Sequence, residues 1–493
     1  MLVPLDIPPG VFANGTEYQS RGRWSDASLV RWRDGYMGPI GGWSQWGSAT
    51  FSGSYARAAI AWVDQSDGRW LAVGTHDALY VYDESATQKD ITPGGFSVGV
   101  QDSTTNTAYG AGTYGSSNYG SPRPDVGVVT RASTWSLDTW GEYCVGCMNS
   151  DGKLYEWQLD FATPTAAAVI ANAPTDCEGL VVTTERILMA LGADGDPRLI
   201  KWCDQEDNTD WTSDATNQAG DKTLDTPGRI LAGRRVRGRT LILTSYDAHT
   251  ATYSGQPFVF DFEKVGDGCG LAAPAAVTTF DGNAVWMGEH GFFVYDGYVR
   301  PLESDVIDYV VENLSSGQKE KIHAFTNHEF SEVWWLYPSD ASNECDSYVS
   351  WNYVENHWSI GTIARSAAVA QGVFSTPLLV GTDGKVYEHE SGTLDASNGP
   401  FAESGPFEIG VGERLASVKR VIPDEDTLGD AQVVFSHRMY PTATITTEAA
   451  LTPSEPTDVR FQARQVMLRV EGVSSADWRW GVPRLEITQG GKR

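Results

Sequence analysis

The chain has 493 residues, 41% of them hydrophobic and 20% charged, so it is globular and long enough for two or three domains. Its 64 acidic residues outnumber 36 basic ones and leave a net charge of −28, which argues against a nonspecific grip on nucleic acid or docking on an anionic membrane. No apolar run is long enough to span a bilayer, so no membrane insertion is expected.

The opening MLVPLDIPPG has no basic stretch ahead of an apolar one, so it does not read as a secretory leader. Pro8 and Pro9 stiffen it, and it reads as an extended arm laid on a neighbouring subunit. Residues 1–50 form an N-terminal arm and hairpin segment carrying Trp24, Trp32, Trp43 and Trp46. Within it, Leu29–Arg33, then Asp34-Gly35, then Tyr36–Met37 predict a hairpin with a type I′ turn.

Residues 51–390 are dominated by short alternating runs, such as 59–63 (AIAWV), 239–245 (RTLILTS) and 333–337 (VWWLY). With 18 Trp, 20 Tyr and 52 Gly, the composition favours many short strands and tight turns. A degenerate hairpin recurs at 73–83 (VGTHDALYVYD), 145–157 (VGCMNSDGKLYEW), 287–297 (MGEHGFFVYDG) and 380–390 (VGTDGKVYEHE). Its repetition predicts an all-β fold with a β-propeller-like central domain of four-stranded blades. A β-sandwich or irregularly stacked hairpins would use the same turns.

Several features interrupt that pattern. The Gly/Tyr loop 106–120 places Tyr109, Tyr114 and Tyr119 among glycines; it is either a floppy insertion or contact area for a neighbour. Arg234, Arg235, Arg237 and Arg239 form the one basic cluster, read either as a solvated turn or as a docking patch for an acidic partner. Ser304–Leu314 predicts a helix with Ser304 as N-cap. Residues 391–405 read as a linker, and 406–493 as a β-sandwich-like module with strands near 431–436, 442–447, 464–470 and 485–488.

No recognisable catalytic motif is present, so no enzyme activity, cofactor or metal is expected. The eight histidines are scattered. Cys144 and Cys147 form a CxxC inside an apparent strand, where they read as small apolar core residues. Six irregularly spaced cysteines do not make a disulfide framework and fit synthesis in a reducing compartment. Acid clusters at Asp204, Glu206, Asp207 and Asp210, and at Asp424, Glu425, Asp426 and Asp430, depart from calcium-loop spacing and read as solvated turns.

Five stretches, in order, carry a resemblance. They are LDIPPGVFANGTEYQSRGRWSDASLVRWRDGYMGPIGGW near the start, IKWCDQEDNTDW (200–211), GEHGFFVYDGYVRPLESDVIDYV (288–310), SNECDSYVSWNYVENHWSIG (342–361) and the ending from VMLRVEG to DWRWGVPRLEITQGGKR (466–493). In these the chain resembles the tail nozzle (tail hub, or tail tubular B-like) proteins of short-tailed bacteriophages. The resemblance implies a propeller-containing structural subunit of the virion tail, made in the host bacterial cytoplasm. It would assemble as a homo-oligomeric ring of about six copies below the portal and adaptor, near the tail fibres or spikes. DNA would pass through the ring without specific binding. The family brings no catalytic residues. The alternatives are another virion component, such as a head–tail stopper or baseplate hub, and a propeller that binds or cleaves glycans.

Overall fold

The computed structural model describes residues 1–51, 53–105, 129–162, 165–410, 414–453 and 455–492; Tyr109, Tyr114 and Tyr119 lie outside them. The fold is all-β, apart from a short helix and 3-10 turns. Its body is a series of seven four-stranded antiparallel sheets. Six are meanders of consecutive strands, starting at Ala56–Val63, Trp135–Trp140, Gly179–Val182, Ile230–Val236, Val277–Phe280 and His323–Asn327. The seventh starts at Arg365–Val369 and continues through Leu378–Gly381 and Val386–Thr393. Its fourth strand, Gly41–Gln45, comes from the other end of the chain, with Glu388 opposite Ser44 and His389 opposite Trp43. The four recurring hairpins of the sequence fall in the middle strands of the first, second, fifth and seventh sheets.

First strands of successive sheets lie against one another, and the first strand of the seventh lies against that of the first. Period-two alternation turns each strand's apolar residues toward the sheets on either side. Cys144 and Cys147 show this. Three positions apart on one strand, they face opposite ways: Cys144 packs with Trp62 and Trp157 toward the first sheet, and Cys147 with Leu180 and Val182 toward the third.

The two chain ends build a second unit of two packed sheets. One holds Leu2–Pro4, Arg484–Lys492, Arg414–Ile422 and Thr457–Ala463 in that order. The other runs through Trp24–Ser28, Phe401–Ser404, Gln465–Gly472 and Ala431–Arg438 to Thr446–Thr447. Phe435 of the second meets Phe461 of the first at 5.7 Å between ring centroids.

The opening segment therefore departs from the expectation of an arm on a neighbour. Leu2 lies opposite Glu486, and the Leu5 N–H donates to the Pro483 carbonyl at 2.8 Å. Pro8 is exposed and Pro9 partly buried on the path between these pairings. The stretch 391–405 is not a free linker either: one strand runs to Thr393, and Phe401–Ser404 already belongs to the end module. The helix is shorter than expected. It spans Ile307–Asn313, because the Ser304 hydroxyl accepts the Val306 N–H and holds the chain in a turn first. The expected strand 442–447 shrinks to Thr446–Thr447.

The N-terminal hairpin joins the two units. Asp34 (φ 50°) and Gly35 (φ 82°) form the turn with positive φ at both central residues, as expected. Trp24 and Trp32 are buried 6.1 Å apart, and Met37 exchanges backbone hydrogen bonds with Trp480. Arg31 forks onto two buried carboxylates, Glu332 of the sixth sheet (2.9 Å) and Glu390 of the seventh (2.7 Å), and stacks 3.5 Å over Phe330.

Gly42 has to be glycine, since a Cβ there would lie 2.3 Å from the Thr393 carbonyl oxygen. Gly42→Ala is expected to loosen the fourth strand of the seventh sheet at a cost of about 1–3 kcal/mol, read by urea denaturation. Unchanged stability would show that this strand is dispensable.

Candidate functional site

The first strands of the seven sheets surround two adjoining cavities. One, of about 390 Å3, is walled by Ala59, Val277, His323 and Ala368, among others, with Arg234 entering from the fourth sheet. The other, of about 240 Å3, adds Leu137, Asp138, Leu180 and Val181, and Arg234 lines it too. Every one of the seven first strands contributes to one or both.

Ion pairs step from sheet to sheet through residues that precede or begin these strands. Arg131, ahead of the second sheet, reaches Glu178, ahead of the third, at 3.1 Å. Arg229, ahead of the fourth, sits 3.7 Å from Glu178 and 2.6 Å from Glu320, ahead of the sixth. Burial raises the Glu320 carboxyl above its ordinary range, with Arg131 and Lys319 opposing that shift. Lys321 joins Glu344 (2.8 Å) and Asp102 (2.6 Å), and Arg57 of the first sheet closes on Glu344 at 2.7 Å. Lys321 and Arg57 side chains are 1% exposed, so these are desolvated pairs and costly to break from one side. Gln318 exchanges hydrogen bonds with the Ser103 backbone beside Asp102. The pairs thus fix the base of the segment that leaves at Thr104–Thr105 and returns at Val129–Thr130.

The four arginines of the basic cluster have different surroundings. Arg235 pairs with Asp138 at 2.8 Å, and Arg237 donates to the Gly282 carbonyl and Asn283 Oδ1 in the fifth sheet. Arg239 is exposed. Arg234, adjacent in sequence, lies in the cavities and donates to the carbonyl of its own neighbour, Gly233, at 2.9 Å. Strand alternation separates Arg234 from Arg235, a distinction that charge clustering in the sequence does not carry.

The acid clusters are consumed locally. Asp207 accepts the Thr209 N–H and hydroxyl, which hold its carboxyl below the usual range, and Asp204 accepts the Gln218 N–H. Glu425 accepts the N–H groups of Gly429, Asp430 and Ala431. No group of three or more His, Cys, Asp or Glu side chains placed to hold a metal occurs among the described residues. All six cysteines are free and buried, and burial pushes the Cys144 thiol up to about 12. Such thiols are poor nucleophiles.

Of the eight histidines, His323 and His389 are among those buried in the sheets, a placement that their scatter along the sequence does not carry. His323 Nε2 lies 3.0 Å from the Ala368 carbonyl oxygen, bridging the sixth and seventh sheets, while Nδ1 is buried without a hydrogen-bond partner. Burial lowers the His323 pKa to about 4, with Arg234 adding to the shift. His389 stacks on Trp43 at 5.1 Å and takes a hydrogen bond from Arg365 Nε at 2.9 Å. Burial lowers its pKa well below the ordinary value.

No family model and no curated protein matches the chain. Solved structures give remote likenesses. The CNH domain of AfRom2 is 10% identical with a TM-score of 0.36, over 70% of this chain and 98% of that one. The N-terminal domain of Nup159 is 9% identical with a TM-score of 0.38, over 74% and 99%. An inactive virginiamycin B lyase from Staphylococcus aureus is 8% identical with a TM-score of 0.30, over 87% and 99%. Likenesses this remote carry no argument about function.

His323 makes stability depend on pH. Its folded pKa lies below the ordinary 6.5, so the unfolded chain binds the proton first as pH falls. Stability is expected to drop between about pH 6.5 and 4, by about 3 kcal/mol from this residue. His323→Gln should remove that part of the slope in denaturation curves taken across the range. An unaltered slope would show that His323 already takes up its proton in the fold.

Proposed function

We propose that the seven sheets close into a seven-bladed β-propeller, and that the chain is a structural subunit of a phage tail nozzle ring. The propeller reading is supported by the contact between the first strands of the seventh and first sheets and by the completion of the seventh sheet from the N-terminal segment. A latch of this kind lets a radial array of sheets hold without a free seam. The nozzle reading rests on one observation, the five stretches of family-like sequence that recur in order through the chain.

The physical chemistry is compatible with that role. A net charge of −28 on each copy would give the ring an acidic conduit that repels DNA rather than trapping it. Exposed aromatic residues at turns of the fourth and fifth sheets, Phe258 (80%) and Tyr298 (83%), offer apolar anchors for contact between subunits or with a neighbouring ring. On this reading the portal or adaptor ring and the fibres or spikes are the partners, and the chain is not an enzyme.

Quantitative mass spectrometry of gradient-purified virus particles from the source culture tests the proposal. About six copies for each portal ring are expected. Absence from the particles would overturn it. In the same particles, Phe258→Asp and Tyr298→Asp together should lower incorporation while leaving the melting temperature of the isolated chain unchanged. Full incorporation would remove these residues from the interface.

A further inference from the structure

We propose that the cavity ringed by the first strands binds a small oxyanion, a phosphate or a carboxylate, against the guanidinium of Arg234. This goes beyond the nozzle reading and does not depend on assembly.

The argument begins with what Arg234 lacks. Its guanidinium carries five donors, and the described structure gives it one hydrogen bond, to the carbonyl of Gly233. The carboxylate that acts on it electrostatically, Asp138, is already committed. One oxygen of Asp138 accepts Arg235 Nη2 and the Thr139 N–H, and the other accepts the Val182 N–H, each at 2.8 Å. Burial holds the Arg234 guanidinium below the usual arginine range, and Arg235 works in the same direction. Among the described residues, no carboxylate forms a salt bridge with this cation.

The surroundings supply space. Arg234 lines both cavities. The larger cavity sets small apolar residues such as Ala59, Val277 and Ala368 beside Thr278, Thr279 and Gln371, and Arg234 is half-buried there. His323, 7% exposed, also lines the larger cavity and carries the orphaned Nδ1. With Nε2–H donating to Ala368, Nδ1 is left as an acceptor but is itself buried, so the contact to the anion falls to Arg234. The planar fork of N–H donors fits the paired oxygens of either anion, and the greater charge of phosphate favours it over acetate.

The test uses the purified full chain and isothermal titration with sodium phosphate and with sodium acetate, at ionic strength matched by chloride. Saturable uptake of one phosphate per chain is expected, with acetate weaker. Arg234→Met should weaken phosphate binding about tenfold or more, whereas Arg239→Met, at an exposed arginine of the same cluster, should leave it unchanged. Wild-type chain without saturable uptake of either anion would overturn the proposal, and so would equal binding by Arg234→Met. Should Arg234→Met fail to fold, the wild-type titration and a melting temperature that rises in phosphate but not in chloride decide the matter.

Discussion

The fold depends on a single buried fork. Arg31 holds Glu332 and Glu390, all three side chains less than a tenth exposed, and each belongs to a different part of the molecule. One guanidinium shared by two carboxylates leaves an excess negative charge in a desolvated place. Neutral donors spread that charge: the Trp334 indole to Glu332, and the Asn327 amide and Gly41 N–H to Glu390. The cost of burying such charges is met only while every partner is in position. The fork therefore ties the placement of the N-terminal hairpin to the closing edge of the seventh sheet.

The same economy governs the rest of the charge. A net of −28 places most carboxylates on the surface, yet many of them fold back onto local N–H and hydroxyl donors in tight turns. The basic residues are fewer, and Arg57, Arg131, Arg229 and Lys321 among them tie separate parts of the chain together. Among the described residues, Arg234, like the buried Arg365, has no carboxylate of its own, and it lines the cavities where sheets converge.

What was legible in the sequence was local. Asp34-Gly35 specified its turn, and the four hairpins marked middle strands, because short-range turn chemistry and alternation act within about ten residues. Cys144 and Cys147 read as small apolar core residues of one strand, and both are buried. What stayed hidden was non-local. Nothing in Leu2–Pro4 announces the partner near Glu486, and nothing in Gly41–Gln45 announces Glu388. The stretch 391–405 looked like a linker because Ser, Gly and Asn flank its strands, and its strand character comes from edges offered by distant segments. The His323 environment was illegible for the same reason, since Ala368 and the cavity walls come from other sheets.

Synthesis on the ribosome gives the closing strand an awkward order. Gly41 is made among the first residues, but its partner Glu390 follows 349 positions later. At ordinary elongation rates that gap is roughly 20 to 70 seconds. Throughout it a segment carrying Trp24, Trp32, Trp43 and Trp46 waits with no sheet to join, while six other sheets form behind it. A nascent chain of this design is exposed to pairing between polysome neighbours, where the early strand of one copy meets the late sheet of another. Slow delivery, chaperone cover or low expression temperature would then matter more to its yield than the stability of the finished molecule.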